Sequence, residues 1–254
     1  MVKKLFLTLF LFSGISYAVE IQNLAQAIDI SGKQRMYTQR LLKDYAMVGM
    51  QNKFGNPKED LQKTIQNFED HLNSLEKFTN DGAIKANIAK AKQEWQKVKQ
   101  KLTAPPAKEN AVTLQKELDN LLQISDTITK QFAAKSATQA GEIINISGRQ
   151  RMLSQRMASL YMLKVWGIED PQFKQKLQDA MQLFKTSLDK LIAYDKNTPQ
   201  INTLLKKAKR SFMFFDIMGK SNSKFIPSLI YKKSNDILKD MNTATKLYTK
   251  LETK

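Results

Sequence analysis

The feature that most constrains this chain is an internal repeat with an offset of 116 residues. Residues 28–40 read IDISGKQRMYTQR and residues 144–156 read INISGRQRMLSQR, so nine of the thirteen positions are identical. The same offset relates apolar positions far outside the motif, among them Leu61 and Leu177, Phe68 and Phe184, and Leu72 and Leu188. A duplicated unit of this length predicts two copies of one folded module.

Each copy has the pattern of four helices. Segments of roughly 20 to 30 residues carry apolar residues at three- and four-residue spacing, and turn-forming clusters such as residues 54–57 separate them. No segment alternates apolar and polar residues as a half-buried strand does. The predicted helices span residues 20–53, 58–79, 83–103, 107–138, 139–167, 172–195, 200–218 and 226–252. The predicted fold class is therefore all-α, with two tandem four-helix bundles.

The boundary between the copies predicts an elongated molecule. Residues 107–166 contain no proline, and their only glycines are Gly141 and Gly148. We therefore expect a long continuous helix to join the two bundles. The predicted divisions are a signal peptide at 1–18, a first helical module at 19–138 and a second at 139–254. A sharp reversal near residues 134–141 would instead place the copies side by side.

The N-terminal segment has the pattern of a secretory signal peptide. Lys3 and Lys4 precede an apolar run at residues 5–12, and residues 16–18 form a small-x-small cleavage site. The run is shorter than the roughly 20 residues that a membrane span needs. We expect an exported, periplasmic protein with no later membrane span. Because it has no cysteine, packing has to stabilise it without disulfides.

Charge and residue types exclude several function classes. The net charge is +17 at pH 7, and only two lysines of this excess lie in residues 1–18. In an exported protein such an excess favours anionic lipid, cell-wall polymer or small anions over nucleic acid as partners. His71, the only histidine, is expected at the edge of a bundle, and a di-metal bundle would need two Glu-x-x-His pairs. We predict no enzymatic activity, no cofactor and no metal.

Arginine is used selectively. Six arginines accompany 35 lysines, and five of the six lie in the two motifs: Arg35, Arg40, Arg149, Arg151 and Arg156. A planar guanidinium is preferred over an ammonium group where two parallel hydrogen bonds to a carboxylate or oxyanion are needed. The motifs are therefore the candidate recognition sites.

On a helix, each motif places small and apolar residues along one narrow stripe. Alternating steps of four and three residues give Ile21, Ala25, Ile28, Gly32, Arg35, Gln39, Leu42, Ala46 and Gly49 in copy 1. The equivalents in copy 2 are Ala137, Gly141, Ile144, Gly148, Arg151, Gln155, Ala158, Met162 and Val165. Two parallel helices pack along such a seam. Since Ile30, Tyr37 and Leu41 on the opposite face can fill the bundle's own core, we expect the seam to form a homodimer.

Across this seam Arg35 and Arg151 would each face a second arginine. Two like charges about 5 Å apart repel by roughly 3 kcal/mol at an effective dielectric constant near 20, and no seam position holds an acid. A small oxyanion between the guanidiniums would offset the repulsion, and the glycines one turn earlier let the backbones approach. The predicted ligand-binding residues are Arg35, Arg151, Gly32, Gly148, Gln39 and Gln155. If the copies lie side by side, Arg35 and Arg151 face each other within one chain.

The segments ISGKQRMYTQR and ISGRQRMLSQR resemble the signature of the PilJ/NarX-like sensor family. Members form N-terminal periplasmic domains of type IV pilus methyl-accepting transducers and of nitrate-sensing kinases. The resemblance implies four-helix sensor bundles that dimerise along their first helix, with the arginine of the Arg-Met pair, here Arg35 and Arg151, holding nitrate. No HAMP-like linker, kinase or methyl-accepting region follows the bundles, so we expect signalling to need a separate membrane receptor or kinase.

Two functions remain open at this point. The first is a periplasmic sensory or binding protein for a small oxyanion such as nitrate or nitrite. The second is a structural or interaction protein of the envelope or of the type IV pilus and chemotaxis system, without a ligand. They differ in whether Arg35 and Arg151 meet another arginine across a gap or a carboxylate from another helix.

Overall fold

The computed structural model describes residues 19–220 and 226–252, and every regular element in these ranges is an α-helix. The all-α fold class is thus confirmed, whereas the predicted signal peptide lies outside the described residues. In chain order the helices are α1 (Leu24–Gly49), α2 (Pro57–Phe78), α3 (Gly82–Thr103), α4 (Lys108–Ser136), α5 (Gln139–Val165), α6 (Phe173–Ile192), α7 (Pro199–Lys220) and α8 (Pro227–Glu252).

The helices begin where the sequence provides capping groups. The side chains of Asn23, Asp81 and Thr138 each accept a hydrogen bond from a backbone N–H in the first turn of α1, α3 and α5. These bonds satisfy N–H groups that have no partner within the helix. Prolines open α2, α7 and α8, where their fixed φ suits the first turn and the missing N–H costs nothing.

Helices α1–α4 pack as one four-helix bundle, called module 1, and α5–α8 as a second, module 2. The duplication is visible in the packing of the two cores. In module 1 the ring of Phe68 stacks on Trp95 with centroids 4.2 Å apart, and in module 2 Phe184 stacks on Phe212 at 4.6 Å. Each stack joins the second and third helices of its own module, so equivalent contacts stabilise each bundle internally.

The prediction of a continuous helix between the modules is wrong. Helix α4 ends at Ser136, Ala137 adopts a left-handed conformation with φ of 51°, and α5 begins at Gln139. Thr138 then caps α5, because its hydroxyl accepts a 3.0 Å hydrogen bond from the N–H of Gly141. The chain therefore reverses within three residues, and the modules lie side by side instead of end to end.

The two first helices, α1 and α5, form the centre of the molecule. They contact each other as well as the other helices of their own modules, and 20 of the 26 residues of α1 are buried. The seam predicted on each helix therefore packs against the other module of the same chain, and not against the second subunit that we expected. The apolar residues of the opposite face, Ile30, Tyr37 and Leu41, are buried in module 1, as predicted.

His71 lies deeper than the sequence predicts. Its side chain is 6% exposed, and its ring lies 5.3 Å from that of Tyr37. Burial lowers the pKa of its imidazole to about 4, so His71 is a neutral core residue at pH 7 and not one at the edge of the bundle.

Candidate functional site

The two predicted arginines meet where α1 and α5 run side by side. Nη2 of Arg35 donates to the carbonyl oxygen of Asn145 at 3.2 Å, and Nη2 of Arg151 donates to the carbonyl oxygen of Asp29 at 3.1 Å. Asp29 and Asn145 are equivalent positions of the repeat. These reciprocal bonds show that α1 and α5 pack in parallel and in register, related by a pseudo-twofold axis along the seam.

The seam glycines make room for the guanidinium groups. A Cβ atom on Gly32 would lie 3.1 Å from Nη2 of Arg151 and 3.4 Å from Nη2 of Arg35. A Cβ atom on Gly148 would lie 3.0 Å and 3.4 Å from the same two atoms. Both Nη2 atoms therefore lie in the space that the absent side chains leave, so the two cationic groups are close neighbours in the middle of the seam.

Arg35 is fully buried and forms an ion pair inside its own module. Its Nη1 donates to Oδ1 of Asp126, on α4, at 2.6 Å. Burial lowers the pKa of the Arg35 guanidinium to about 10, against the opposing effect of Asp126. The carboxylate is itself 27% exposed and is also paired with Lys130 at 2.7 Å.

Arg151 is equally buried but takes its carboxylate from the other module. Its Nη1 donates to Oδ1 of Asp29 at 2.6 Å and to Oδ1 of Asn242 at 3.1 Å. Lys33 pairs with the second oxygen of Asp29 at 3.0 Å. Burial would raise the pKa of the Asp29 carboxyl, but the charges of Arg151 and Lys33 outweigh it and hold this pKa below its ordinary value.

Each guanidinium has hydrogen-bonding capacity left over. The Nε atoms of Arg35 and Arg151 are buried and have no hydrogen-bond partner, and each Nη2 uses one N–H on a backbone carbonyl. The Nε–H and one Nη2–H of a guanidinium lie along one edge, where a planar oxyanion or carboxylate binds through two parallel hydrogen bonds. The arrangement thus combines two buried cations with donors that the protein itself leaves unsatisfied.

Comparison with protein families identifies the module. The family described as type IV pili methyl-accepting chemotaxis transducer N-terminal domain, PilJ, matches residues 19–121, in module 1, and residues 132–210, which begin at the end of α4 and continue into module 2. The chain belongs to this family. It therefore contains two tandem PilJ domains, and the family has a sensory role of the chemotaxis-transducer type. No curated protein and no solved structure matches the chain.

The PilJ modules contain no candidate membrane helix in the part of the chain that is described. Among residues 19–220 and 226–252, no helix is both long enough and apolar enough to cross a bilayer.

The predicted glutamines lie one turn beyond the arginines and belong to a different cluster. Gln155 accepts a 2.8 Å hydrogen bond from Nζ of Lys43 and donates to the carbonyl of Ser234 at 3.0 Å. Gln39 donates to Asp119 at 3.4 Å. Within the described residues neither glutamine bonds a guanidinium, so the structure brings together the arginines and glycines of the predicted site but not its glutamines.

The sequence left open that each arginine meets a carboxylate from another helix, but it did not identify Asp29 and Asp126 as these carboxylates. It placed no acid on the seam, because Asp29 flanks the seam position of Ile28 and Asp126 lies on another helix. A signal was present in the repeat, since the equivalents of Asp29 and Asp126 are Asn145 and Asn242. Module 1 therefore supplies both carboxylates, one for each arginine, and module 2 supplies amides at the same places.

Two of the other motif arginines pair with side chains of neighbouring helices. Arg40 donates to Asp60 of α2 at 2.7 Å, and Arg156 donates to Asp119 of α4 at the same distance. Neither therefore contributes to the pair of guanidiniums at the seam.

A second buried charged group lies further along α1. Lys43 and Asp44 are fully buried, with Nζ of Lys43 3.7 Å from a carboxylate oxygen of Asp44. Nζ also donates to Asn235 at 2.7 Å and lies over the ring of Tyr231, 4.1 Å from its centroid. Burial lowers the pKa of Lys43 to about 8 and raises that of Asp44 to about 6. Lys43 thus links α1 to both α5 and α8 across the module interface.

Proposed function

We propose that this protein is a periplasmic sensory or binding protein for a small planar oxyanion, such as nitrate or nitrite. The ligand binds between Arg35 and Arg151, so that one chain provides both halves of a site at the interface of its two PilJ domains. The observation that carries the proposal is the pair of fully buried guanidiniums at one seam, each with an Nε–H that has no acceptor.

The charges around the seam favour an anion. Arg35, Arg151, Lys33 and Lys130 contribute four positive charges, which Asp29 and Asp126 only half neutralise. A planar anion would accept hydrogen bonds from the free edges of the guanidiniums in a region of low effective dielectric constant, where charge-assisted bonds are strong. Chloride has the charge but cannot form two parallel bonds to one guanidinium.

Isothermal titration calorimetry of residues 19–254 against nitrate, nitrite, sulfate, phosphate and acetate tests the proposal. We expect one planar anion per chain. The variants Arg35→Lys and Arg151→Lys keep the charge but lose the planar fork, and each should weaken binding at least about tenfold. Arg40→Lys and Arg156→Lys are matched controls, since they change motif arginines away from the seam and should leave the affinity within about twofold.

Thermal unfolding provides an independent measurement. A ligand that binds only the folded protein stabilises it by RT ln(1 + [L]/Kd), about 2.7 kcal/mol at a hundredfold excess over Kd. Nitrate should therefore raise the melting temperature more than chloride at equal ionic strength. A wild-type protein that responds equally to both salts, and whose calorimetric titrations are flat, would refute the proposed site.

A second candidate function is a structural or interaction protein of the envelope or the type IV pilus and chemotaxis system. The observation that favours it is that each arginine already has a carboxylate at 2.6 Å. The two candidates differ in their response to Asp29→Asn and Asp126→Asn. If an anion binds the free edges of the guanidiniums, removing a neighbouring negative charge should make these variants bind nitrate more tightly than wild type. If the ion pairs serve only to stabilise the fold, the variants lose stability and gain no affinity for nitrate.

Export and the signalling partner are parts of the same proposal. Cleavage after Ala18 would release a protein that begins at Val19, and mass spectrometry of the periplasmic fraction should detect that N-terminus. The partner that we propose is a membrane receptor or kinase that binds the PilJ domains when the anion is bound to them. Recovery of unprocessed protein from the cytoplasm would refute the assignment to the periplasm.

A further inference from the structure

The C-terminal part of α7 has an apolar outer surface. The side chains of Met213, Phe214 and Ile217, which we call the α7 surface, are 56%, 38% and 59% exposed. On the core side of the same turns, Phe212 and Phe215 are 8% and 4% exposed. Helix α7 is therefore apolar on both sides at this point, although only one side packs against module 2.

Module 1 shows that the fold does not require this surface. One extra residue precedes this point in copy 2, so that Phe212 aligns with Trp95, and the two rings form equivalent stacks. Three residues after each of these rings, the core-facing position is apolar in both modules, Val98 in module 1 and Phe215 in module 2. The equivalents of the α7 surface, however, are polar and largely exposed: Gln96, Lys97 and Gln100. The apolar residues on the outside of α7 are thus a property of module 2 and not of the bundle.

Basic side chains border the α7 surface. Phe214 lines a groove between α7 and α8 together with four cationic residues, Lys207, Arg210, Lys233 and Lys239. Nζ of Lys233 lies 4.3 Å from the centroid of the Phe214 ring. Only two acids, Asp236 and Asp240, line the same groove, so its net charge is positive. Aromatic and aliphatic side chains beside lysine and arginine are typical of helices that bind the interface of an anionic membrane.

We infer that the α7 surface binds the surface of a bilayer that contains anionic lipid. Met213, Phe214 and Ile217 enter the headgroup region, and the cations of the groove neutralise lipid phosphates. A second copy of the chain fits less well, because it would bring two positively charged grooves together. A helical protein partner also fits less well, because Met213 to Ile217 span little more than one turn, whereas helix-in-groove binding uses anchors over two turns or more.

Co-sedimentation with vesicles tests this inference. Residues 19–254 should bind vesicles of phosphatidylcholine mixed with phosphatidylglycerol, and should bind pure phosphatidylcholine vesicles much less. The triple variant M213Q/F214Q/I217Q leaves the charge unchanged and introduces the residue type that module 1 has at two of the three positions. It should lose at least about tenfold in partition coefficient, because three apolar side chains no longer leave water. The triple variant K207Q/R210Q/K233Q should lose binding to the anionic vesicles.

Leu183→Gln is the matched control, since Leu183 on α6 is 40% exposed but lies outside the α7 surface, and it should bind vesicles like wild type. Wild-type binding that the apolar triple variant leaves unchanged would overturn the inference, as would a failure of the wild type to bind anionic vesicles. A triple variant that changes the sedimentation coefficient of the free protein would instead identify the surface as a self-association site. Nitrate titration of the same variants keeps this result separate from the proposed anion site.

Discussion

Asp29→Asn tests whether a carboxylate shared between the modules holds Arg151 in the seam. The substitution introduces the residue that module 2 has at the equivalent position, Asn145, and keeps the shape and one acceptor oxygen. It removes the negative charge that lies 2.6 Å from Nη1 of Arg151 and 3.0 Å from Nζ of Lys33. The expected effect is a lower free energy of unfolding, because a buried cation loses its counter-ion.

The magnitude depends on how far solvent can replace the lost charge. Removing one partner of a buried ion pair costs about 3–5 kcal/mol, and the side chain of Asp29 is only 10% exposed. Since the amide still accepts a hydrogen bond, we expect a loss near the lower end, about 3 kcal/mol. Asp126 is 27% exposed, so solvent screens its pair with Arg35 better, and Asp126→Asn should cost about 1 kcal/mol.

Urea unfolding followed by circular dichroism, without added nitrate, measures both variants. Asn145→Asp in the Asp29→Asn background returns one negative charge to the seam, on the opposite side. It should recover part of the lost free energy of unfolding. The pKa of Asp29 lies below its ordinary 3.8 in the folded state, so its stabilisation is present above pH 3.8 and is lost as the pH falls through the folded-state value. Equal losses for the two single variants, or a larger loss for Asp126→Asn, would refute this account of the seam.

Three further predictions concern other positions on α1 and α2. His71 has a folded-state pKa of about 4 against an ordinary 6.5. The free energy of unfolding should therefore fall by on the order of 3 kcal/mol as the pH falls from 6.5 to 4. Urea unfolding of His71→Ser at a series of pH values should lack this loss. Asp44 has a pKa raised from 3.8 to about 6 and acts in the opposite sense, removing stability as the pH rises from 3.8 to 6. Compared with the wild type at the same pH, Asp44→Asn should therefore be more stable at pH 7 than at pH 4. If the pH dependence of stability in either variant is the same as in the wild type, the pKa shift of that residue is contradicted. Gly49→Ala would place a Cβ atom 2.1 Å from the ring of Trp166. It should lower the melting temperature, with a loss of about 1–3 kcal/mol in the free energy of unfolding. Gly82→Ala is the control, because its Cβ atom would meet no atom within 4 Å, and it should be neutral or slightly stabilising.

The local structure of this protein follows from its sequence. Each helix has its own stripe of apolar residues, and several have a capping side chain or an opening proline, so the helix boundaries depend on neighbours only a few residues away. The predicted helix over residues 58–79, for example, is observed at Pro57–Phe78. The duplication likewise predicted equivalent contacts in the two modules, because identical patterns bury the same faces.

The sequence also placed Arg35 and Arg151 on the packing seams of the first helices. This inference needed only the helical period and the small residues along each stripe. It did not establish which helix packs on the seam, since a second subunit and the second module present nearly the same surface to it.

The tertiary structure decided that partner and, with it, the chemistry of the site. Ala137 in a left-handed conformation and Thr138 as a cap reverse the chain between α4 and α5, and such a short turn is weakly encoded beside two strong helices. Once the modules lie side by side, Asp29 reaches Arg151 across the seam, and Asp126 reaches Arg35 from a helix 91 residues away in sequence. Ion pairs of this kind depend on where whole helices lie relative to one another, and helical periodicity contains no information on that placement.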